Sequence, residues 1–381
     1  PRLARMRRLY LQDADQGDDG SDSSDSDSEG IEQTTFGKIT NPSTTLEELI
    51  TLVEDFSIEE FAESHFNYER KGLRAQSAIN NILCWKDEPL EASLIFNEDR
   101  EIGAAAVQLF HHVMSYMLDR KSSHSPTDHA IAIINILFRD LNEGDVLTDE
   151  ICMQICKQTT NNPSFESNDR GWALLLSVLT CFSPSENLMP YLMSYCVSNI
   201  SADIGECAKL SKKALLVCPK SFRLGRRLDV PASMELEALL YSEELSVCVH
   251  FLDGLSTYTK ISSWTTVGDI VVEIAAKLGC LSSDPYWLFE IEEDGSERLL
   301  DVNDRVLDVI SSWHITTEGD FTDDALPTLV FKIAYFFDVS SDDVAATELF
   351  YIQGKHDVLA ARYPFTTEGA YLLAALQLQE S

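Results

Sequence analysis

The sequence predicts a multidomain chain: an acidic stretch without a core, an all-α domain, a small mixed α/β lobe and the start of a further helical lobe. Three observations carry this. Apolar residues recur at helical spacing from about residue 41 to 228. Past Pro231 the pattern switches to β-branched alternation punctuated by Asp-Gly turns. Ahead of both, residues 13–29 hold eight acids in 17 positions, with no base and no large apolar side chain.

That first tract cannot bury enough surface to offset its ordering entropy and is expected to be disordered. It lacks the Asp, Gly and Glu spacing of a calcium-binding helix–loop–helix. Ser24 and Ser26 each have an acid three residues on, which suits an acidophilic kinase, so both are candidate phosphorylation sites.

The helical region repeats its spacing at Ile131, Ile134, Leu137 and Phe138, at Trp172, Leu175, Leu176 and Leu179, and at Leu188, Tyr191, Leu192 and Tyr195. Breakers separate these runs at Ser125-Pro126, Asn142 to Asp145, Asn161 to Pro163 and Ser183 to Ser185. Thr148 and Ser185 are expected to cap helix starts. Next, 245–252 and 256–261 read as a hairpin around Asp253-Gly254, followed by a helix capped by Thr266 with Asp269 at its third position. Strands at 286–291 and 298–300 flank Asp294-Gly295, and a short helix follows at 305–312. A hairpin, one crossing helix and returning short strands make a ubiquitin-like β-grasp lobe. The apolar 329–337 and two helical patterns, at 342–361 and 367–379, complete the chain.

Charge limits function. The 381 residues carry a net charge of −34, which argues against nucleic-acid binding, since phosphate attraction needs a basic face. No apolar run reaches the roughly 20 residues of a membrane span. The nine cysteines are scattered in a long chain, which speaks against a disulfide framework. With no initiator Met and no signal-peptide core, the chain is expected to be a cytoplasmic piece of a longer protein. Phosphate-binding loop, nucleophile elbow and zinc-protease signatures are absent, so neither catalysis nor a cofactor is expected. Cys152 and Cys156 share a helical face but no second pair completes a metal site. His111 and His112 splay apart on a helix; His65, His250 and His356 are isolated.

One charge feature stands out. Residues 209–227, KLSKKALLVCPKSFRLGRR, hold seven bases (Lys209, Lys212, Lys213, Lys220, Arg223, Arg226, Arg227) and no acid. On a helix Lys209 and Lys213 lie one turn apart, so a basic stripe is expected that docks acidic peptide. Exposed charges are screened beyond about 8 Å, so such a stripe acts locally even on an acidic molecule. The tract at 13–29 is a candidate intramolecular competitor for it.

The sequence also resembles a known tandem. Residues 151–192, ICMQICKQTTNNPSFESNDRGWALLLSVLTCFSPSENLMPYL, closely resemble the centre of the myosin tail homology 4 (MyTH4) domain. EPLEASLI at 88–95 is similar to that family's entry segment, with Glu91 where a base is usual. MELEALL at 234–240 looks like the junction into a FERM domain, and HDVLAARYPFTTEGAYLLAALQLQ at 356–379 like its helical second lobe. The resemblance implies an acidic linker over 1–45, a MyTH4 domain over 46–230, a FERM first lobe over 233–318 and an incomplete second lobe over 327–381. It implies the tail of an unconventional myosin of class VII, X or XV, coupling an actin-based motor to acidic cargo or to tubulin tails. ATP hydrolysis and actin contact would then reside in a motor domain outside this chain. A plant kinesin tail and a motorless adaptor carry the same tandem and are the rival readings.

Overall fold

In a computed structural model of the protein, the described residues are 35–67, 75–139, 146–202, 205–241, 244–292, 294–316, 327–340, 342–364 and 366–380. The acidic tract, with Ser24 and Ser26, lies outside them. The chain divides into two compact units, 1–52 and 53–381. α1 (Leu46–Val53), which begins in the first, is opened by a reciprocal cap: the Glu48 amide donates to Thr45 Oγ1 at 3.3 Å and the Thr45 amide to Glu48 Oε2 at 2.7 Å.

The second unit opens with α2 (Ile58–His65) and α3 (Ala75–Leu83), continues with α4 (Arg100–Tyr116), α5 (Pro126–Arg139), α6 (Val146–Thr159) and α7 (Phe165–Cys181), and completes the helical region with α8 (Met189–Ala202), α9 (Glu206–Leu224) and α10 (Ser233–Leu240). The helix at α6 is buried on all sides, as a bundle's central helix must be. Its polar residues are not errors in the core. Three of them tie down the backbone of a surrounding loop or element. Glu150 accepts the amides of Leu94 and Ile95 at 2.9 and 2.8 Å, Gln154 donates to the Ala106 carbonyl at 2.8 Å, and Lys157 Nζ donates to the Cys84 carbonyl at 2.5 Å. Burial raises the Glu150 pKa and lowers that of Lys157 to about 8. Thr148 does not cap this helix, because the helix already runs from Val146; Asp149 instead accepts from Ser185, which caps α8 through the Leu188 amide.

The motif at 157–172 is explained by packing. Tyr195 stacks on Trp172 with ring centroids 5.5 Å apart and shares hydrogen bonds with Thr159 and Thr160. A Cβ on Gly171 would meet Thr159 Cγ2 at 2.5 Å, so only glycine lets α7 approach α6 there. Cys152 and Cys156 are buried in the same core, and among the described residues no group of three or more His, Cys, Asp or Glu side chains is placed to hold a metal.

The lobe that follows contains β1 (Leu245–His250), β2 (Ser256–Ile261), α11 (Val267–Leu278), β3 (Tyr286–Ile291), β4 (Glu297–Leu299), α12 (Val306–Thr316) and β5 (Thr328–Ile333). The capping box of Thr266 and Asp269 forms as expected. The strand order is β2-β1-β5-β3-β4, with β1 and β5 parallel and the other pairs antiparallel. Here the expected boundary at 318 fails: β5 is the central strand, so the sheet is complete only at Ile333. α11 covers one face, packing Ile270 and Ile274 against Val249, Leu288 and Phe331. Finally α13 (Val344–Leu359), capped by Asp343, and α14 (Thr367–Glu380) complete the described chain. No helix among the described residues is long and apolar enough to cross a membrane.

Candidate partner-docking face

The basic segment is helical over most of its length, as α9. At 3.6 residues per turn, Lys209, Lys212, Lys213, Lys220 and Arg223 fall within about 100° of the helix circumference, along about 21 Å of axis. Leu216, 43% exposed, lies in the middle of the same strip. The opposite face, with Cys207, Leu210, Ala214, Leu215 and Cys218, is buried, and α9 packs on α7 and α8. The amphipathic split therefore leaves the bases facing outward.

The bases are not equivalent. Lys209 pairs with Glu206 at 2.8 Å, a bond that raises its pKa. Lys212 and Lys213 are exposed and make no ion pair among the described residues. Lys220 is half-buried, with Nζ 4.7 Å from the centroid of the Trp264 ring, and its burial lowers its pKa. Arg223 and Arg226 are exposed.

Arg227 departs from the expectation. Its side chain is 0% exposed and cannot meet a partner. It donates from Nη1 to Glu235 on α10, from Nε to Asp308 on α12 at 2.5 Å, and from Nη2 to Ser311 at 3.2 Å. A buried guanidinium must be paired in this way, because desolvation of an isolated charge costs several kcal/mol. Glu235 also accepts from Ser263 at 3.2 Å. Arg227 thus leaves the stripe and becomes a junction between the helical region and the β-grasp lobe.

A second arginine, unremarked in the sequence, completes that junction. Gly225 ends α9 with φ +76°, and Arg305 from the β-grasp lobe reaches the carbonyls that follow: Arg226 at 2.8 Å, Gly225 at 3.1 Å, and Leu224. A cation at those orphan carbonyls also complements the helix dipole. The C-terminal end of the basic strip is therefore fixed against the lobe, and Trp264 from that lobe forms one wall beside Lys220. Neither contact has a sequence signature, since each joins residues about 40 to 80 positions apart, a separation no local periodicity reports.

With this geometry the comparisons with known proteins agree. Residues 134–238 match the model of the MyTH4 domain, 243–334 that of the RA-like domain and 338–381 that of the FERM central domain. Kinesin-like protein KIN-14I of Oryza sativa subsp. japonica is 28% identical over 323 residues, covering 80% of this chain and 26% of the relative. Human unconventional myosin-XV is 30% identical over 239 residues, 58% of this chain and 7% of that protein. The chain thus spans less than a third of the length of these relatives. The MyTH4-FERM MF1 domain of Dictyostelium discoideum myosin VII superposes with a TM-score of 0.67 at 22% identity, covering 83% of this chain and 62% of that one. The C-terminal MyTH4-FERM domain of human myosin 7b, solved with the harmonin-a PDZ3 domain, gives 0.63 at 23% identity over 78% of this chain and 60% of that one. The chain carries a MyTH4 domain followed by FERM-like domains, in the arrangement seen in myosin VII.

Proposed function

We propose that this MyTH4–FERM tandem is a non-catalytic docking module of a cytoskeletal motor tail, and that it receives acidic polypeptide on the outward strip of α9. The carrying observation is the alignment of Lys209, Lys212, Lys213, Lys220 and Arg223 along one helix face. In that strip Lys212 and Lys213 make no ion pair among the described residues. The helical part of the module is proposed to run over 46–230. The acidic peptide would belong to a cargo protein or to a tubulin tail, in a cytoplasmic, cytoskeleton-associated setting. Motor activity, ATP hydrolysis and actin contact would reside elsewhere in the parent. A myosin domain of the same fold solved with a PDZ domain supports partner docking as the general role.

The proposed strip makes a salt-dependent prediction, because exposed ionic contacts are screened. Binding of a fluorescent poly-glutamate peptide and pelleting with microtubules would be compared between the wild type and the Lys212→Glu/Lys213→Glu double variant. Both positions are exposed, so folding is unaffected. A loss of about tenfold or more in the variant, equivalent to about 1.4 kcal/mol, and weakening with added salt are expected. Equal binding by both proteins rejects the strip. Peptide binding without pelleting selects acidic cargo over tubulin. A kinesin tail is the second reading, favoured by two kinesin-like relatives that cover 80% and 86% of this chain.

A further inference from the structure

The connection between α4 and α5, residues 117–125, is held by an unusual concentration of imidazole. His112 Nδ1 and His129 Nδ1 face each other at 2.9 Å, and His129 Nε2 bonds Ser122 Oγ at 2.7 Å. His111 Nδ1 accepts from Arg120 Nη1. The His124 ring stands edge-on to His129 at 6.1 Å between centroids. Four of the eight histidines of the chain therefore meet at one turn. The turn also holds Leu118 at φ +66°, a left-handed conformation that a non-glycine residue adopts only when its surroundings impose it.

Hydrogen-bond chemistry fixes the protonation states this arrangement tolerates. Arginine only donates, so His111 Nδ1 must present a lone pair. The Nδ1···Nδ1 contact needs one N–H and one lone pair. It survives with no extra proton, or with one on either ring. With both rings fully protonated, two N–H groups face each other and the contact becomes repulsive. We propose that His111, His112 and His129 form an acid-sensitive latch that holds the α4–α5 connection closed at neutral pH and releases it under mildly acidic conditions.

The surroundings keep the rings neutral, and the latch closed, at neutral pH. Burial, followed by the other histidines, lowers the pKa of His112; burial and His124 lower that of His129, against the opposing charge of Asp128. Burial and Arg120 lower that of His111. From α6, which also packs on α4, Glu150 and Gln154 are bound to Leu94, Ile95 and Ala106; from α10, which packs on α5, Glu235 is bound to Arg227. Asp128 is thus the carboxylate that acts on the cluster. The latch also has a lever. Asp119, in the same turn, accepts from Ser167 Oγ at 2.8 Å and Gln158 Nε2 at 3.1 Å, so release loosens the start of α7.

Hydrogen exchange on the full chain at pH 7.5 and 5.5, corrected for intrinsic rates, tests the latch. Protection of 117–125 and of the first turn of α7 should fall at least tenfold at pH 5.5 while α8 stays protected. Unchanged protection in the wild type overturns the proposal. In a His111→Gln/His129→Gln variant the pH dependence of this segment should vanish; persistence would assign it to another group. If that variant does not fold, NMR titration of the wild-type rings decides. Coupled two-step titration of His112 and His129 is expected, and independent single steps near the ordinary value reject the shared contact.

Discussion

Arg227, in the segment after α9, donates to Asp308 on α12 at 2.5 Å inside a junction that excludes water from both side chains. One guanidinium answers two carboxylates there, Asp308 and Glu235, and burial raises the Glu235 pKa despite the neighbouring charge. The helical region and the β-grasp lobe consequently share a single buried electrostatic centre.

Breaking that centre from one side is therefore costly. Arg227→Met strands two buried acids, and removing one partner of a buried pair typically destabilises by about 3–5 kcal/mol. Chemical denaturation should show a loss of that order. Replacing Arg227, Glu235 and Asp308 together with apolar residues should restore much of it, since no charge is then left unpaired. A loss below about 1 kcal/mol in Arg227→Met would show that the junction does not hold the lobes.

Much of this architecture is legible in the sequence, and the misses have physical causes. Helix faces and the Thr266 capping box follow from local spacing alone. The strand β5 did not, because Leu329, Val330, Phe331, Lys332 and Ile333 are all buried. A central strand covered on both faces loses the alternation by which strands are recognised. Charge composition carries no burial signal, so the sequence groups Arg227 with the exposed bases. Its partners lie 8 and 81 positions away, beyond any local pattern. The strip itself was readable because an amphipathic helix writes its own exposure at period 3.6.

Within the strip, Glu206 competes with a docking partner for Lys209. Glu206→Gln removes the 2.8 Å ion pair, frees the lysine and deletes a nearby negative charge. Acidic-peptide affinity should rise about two- to threefold at low salt, in keeping with the few tenths of a kcal/mol of exposed helical pairs. Lys209→Ala should cost less affinity than Lys212→Ala. The reverse order in a peptide titration would mean that Lys209, not the unpaired lysines, carries the contact.

Gly171→Ala pits two effects against each other. Helix propensity favours alanine by about 1 kcal/mol. Against this, the new Cβ would stand 2.5 Å from Thr159 Cγ2 and 2.8 Å from Met117 Cε. Met117 is flexible, but Thr159 is fixed by bonds to Ile155 and Tyr195. Overpacking typically costs about 1–3 kcal/mol, so a net loss with a lowered Tm is expected. A rise in Tm would show that α7 can move away from α6 without penalty.

Alkaline pH should unfold this protein well before its tyrosines and lysines titrate in the unfolded chain. Burial raises the pKa values of Cys152, Cys156, Cys181, Cys196 and Cys218 above the ordinary thiol value of 9.0. Below that pH the thiols are protonated in both states and contribute nothing to the pH dependence. Above it the unfolded chain loses protons that the folded chain keeps, so stability falls, by about 1.4 kcal/mol per pH unit for each thiol. Lys157 acts in the opposite sense. Its pKa of about 8 lets the folded state shed a proton before the unfolded one, stabilising the fold between about 8 and its ordinary 10.5. Five thiols outweigh one amine. Under reducing conditions Tm should change little from pH 7.5 to 8.5 and drop steeply from 9 to 10, and Cys181→Ala should make the drop shallower by one proton's worth. A Tm that holds level to pH 10 would mean that these thiols ionise in place, and that the core around α6, α7, α8 and α9 admits water.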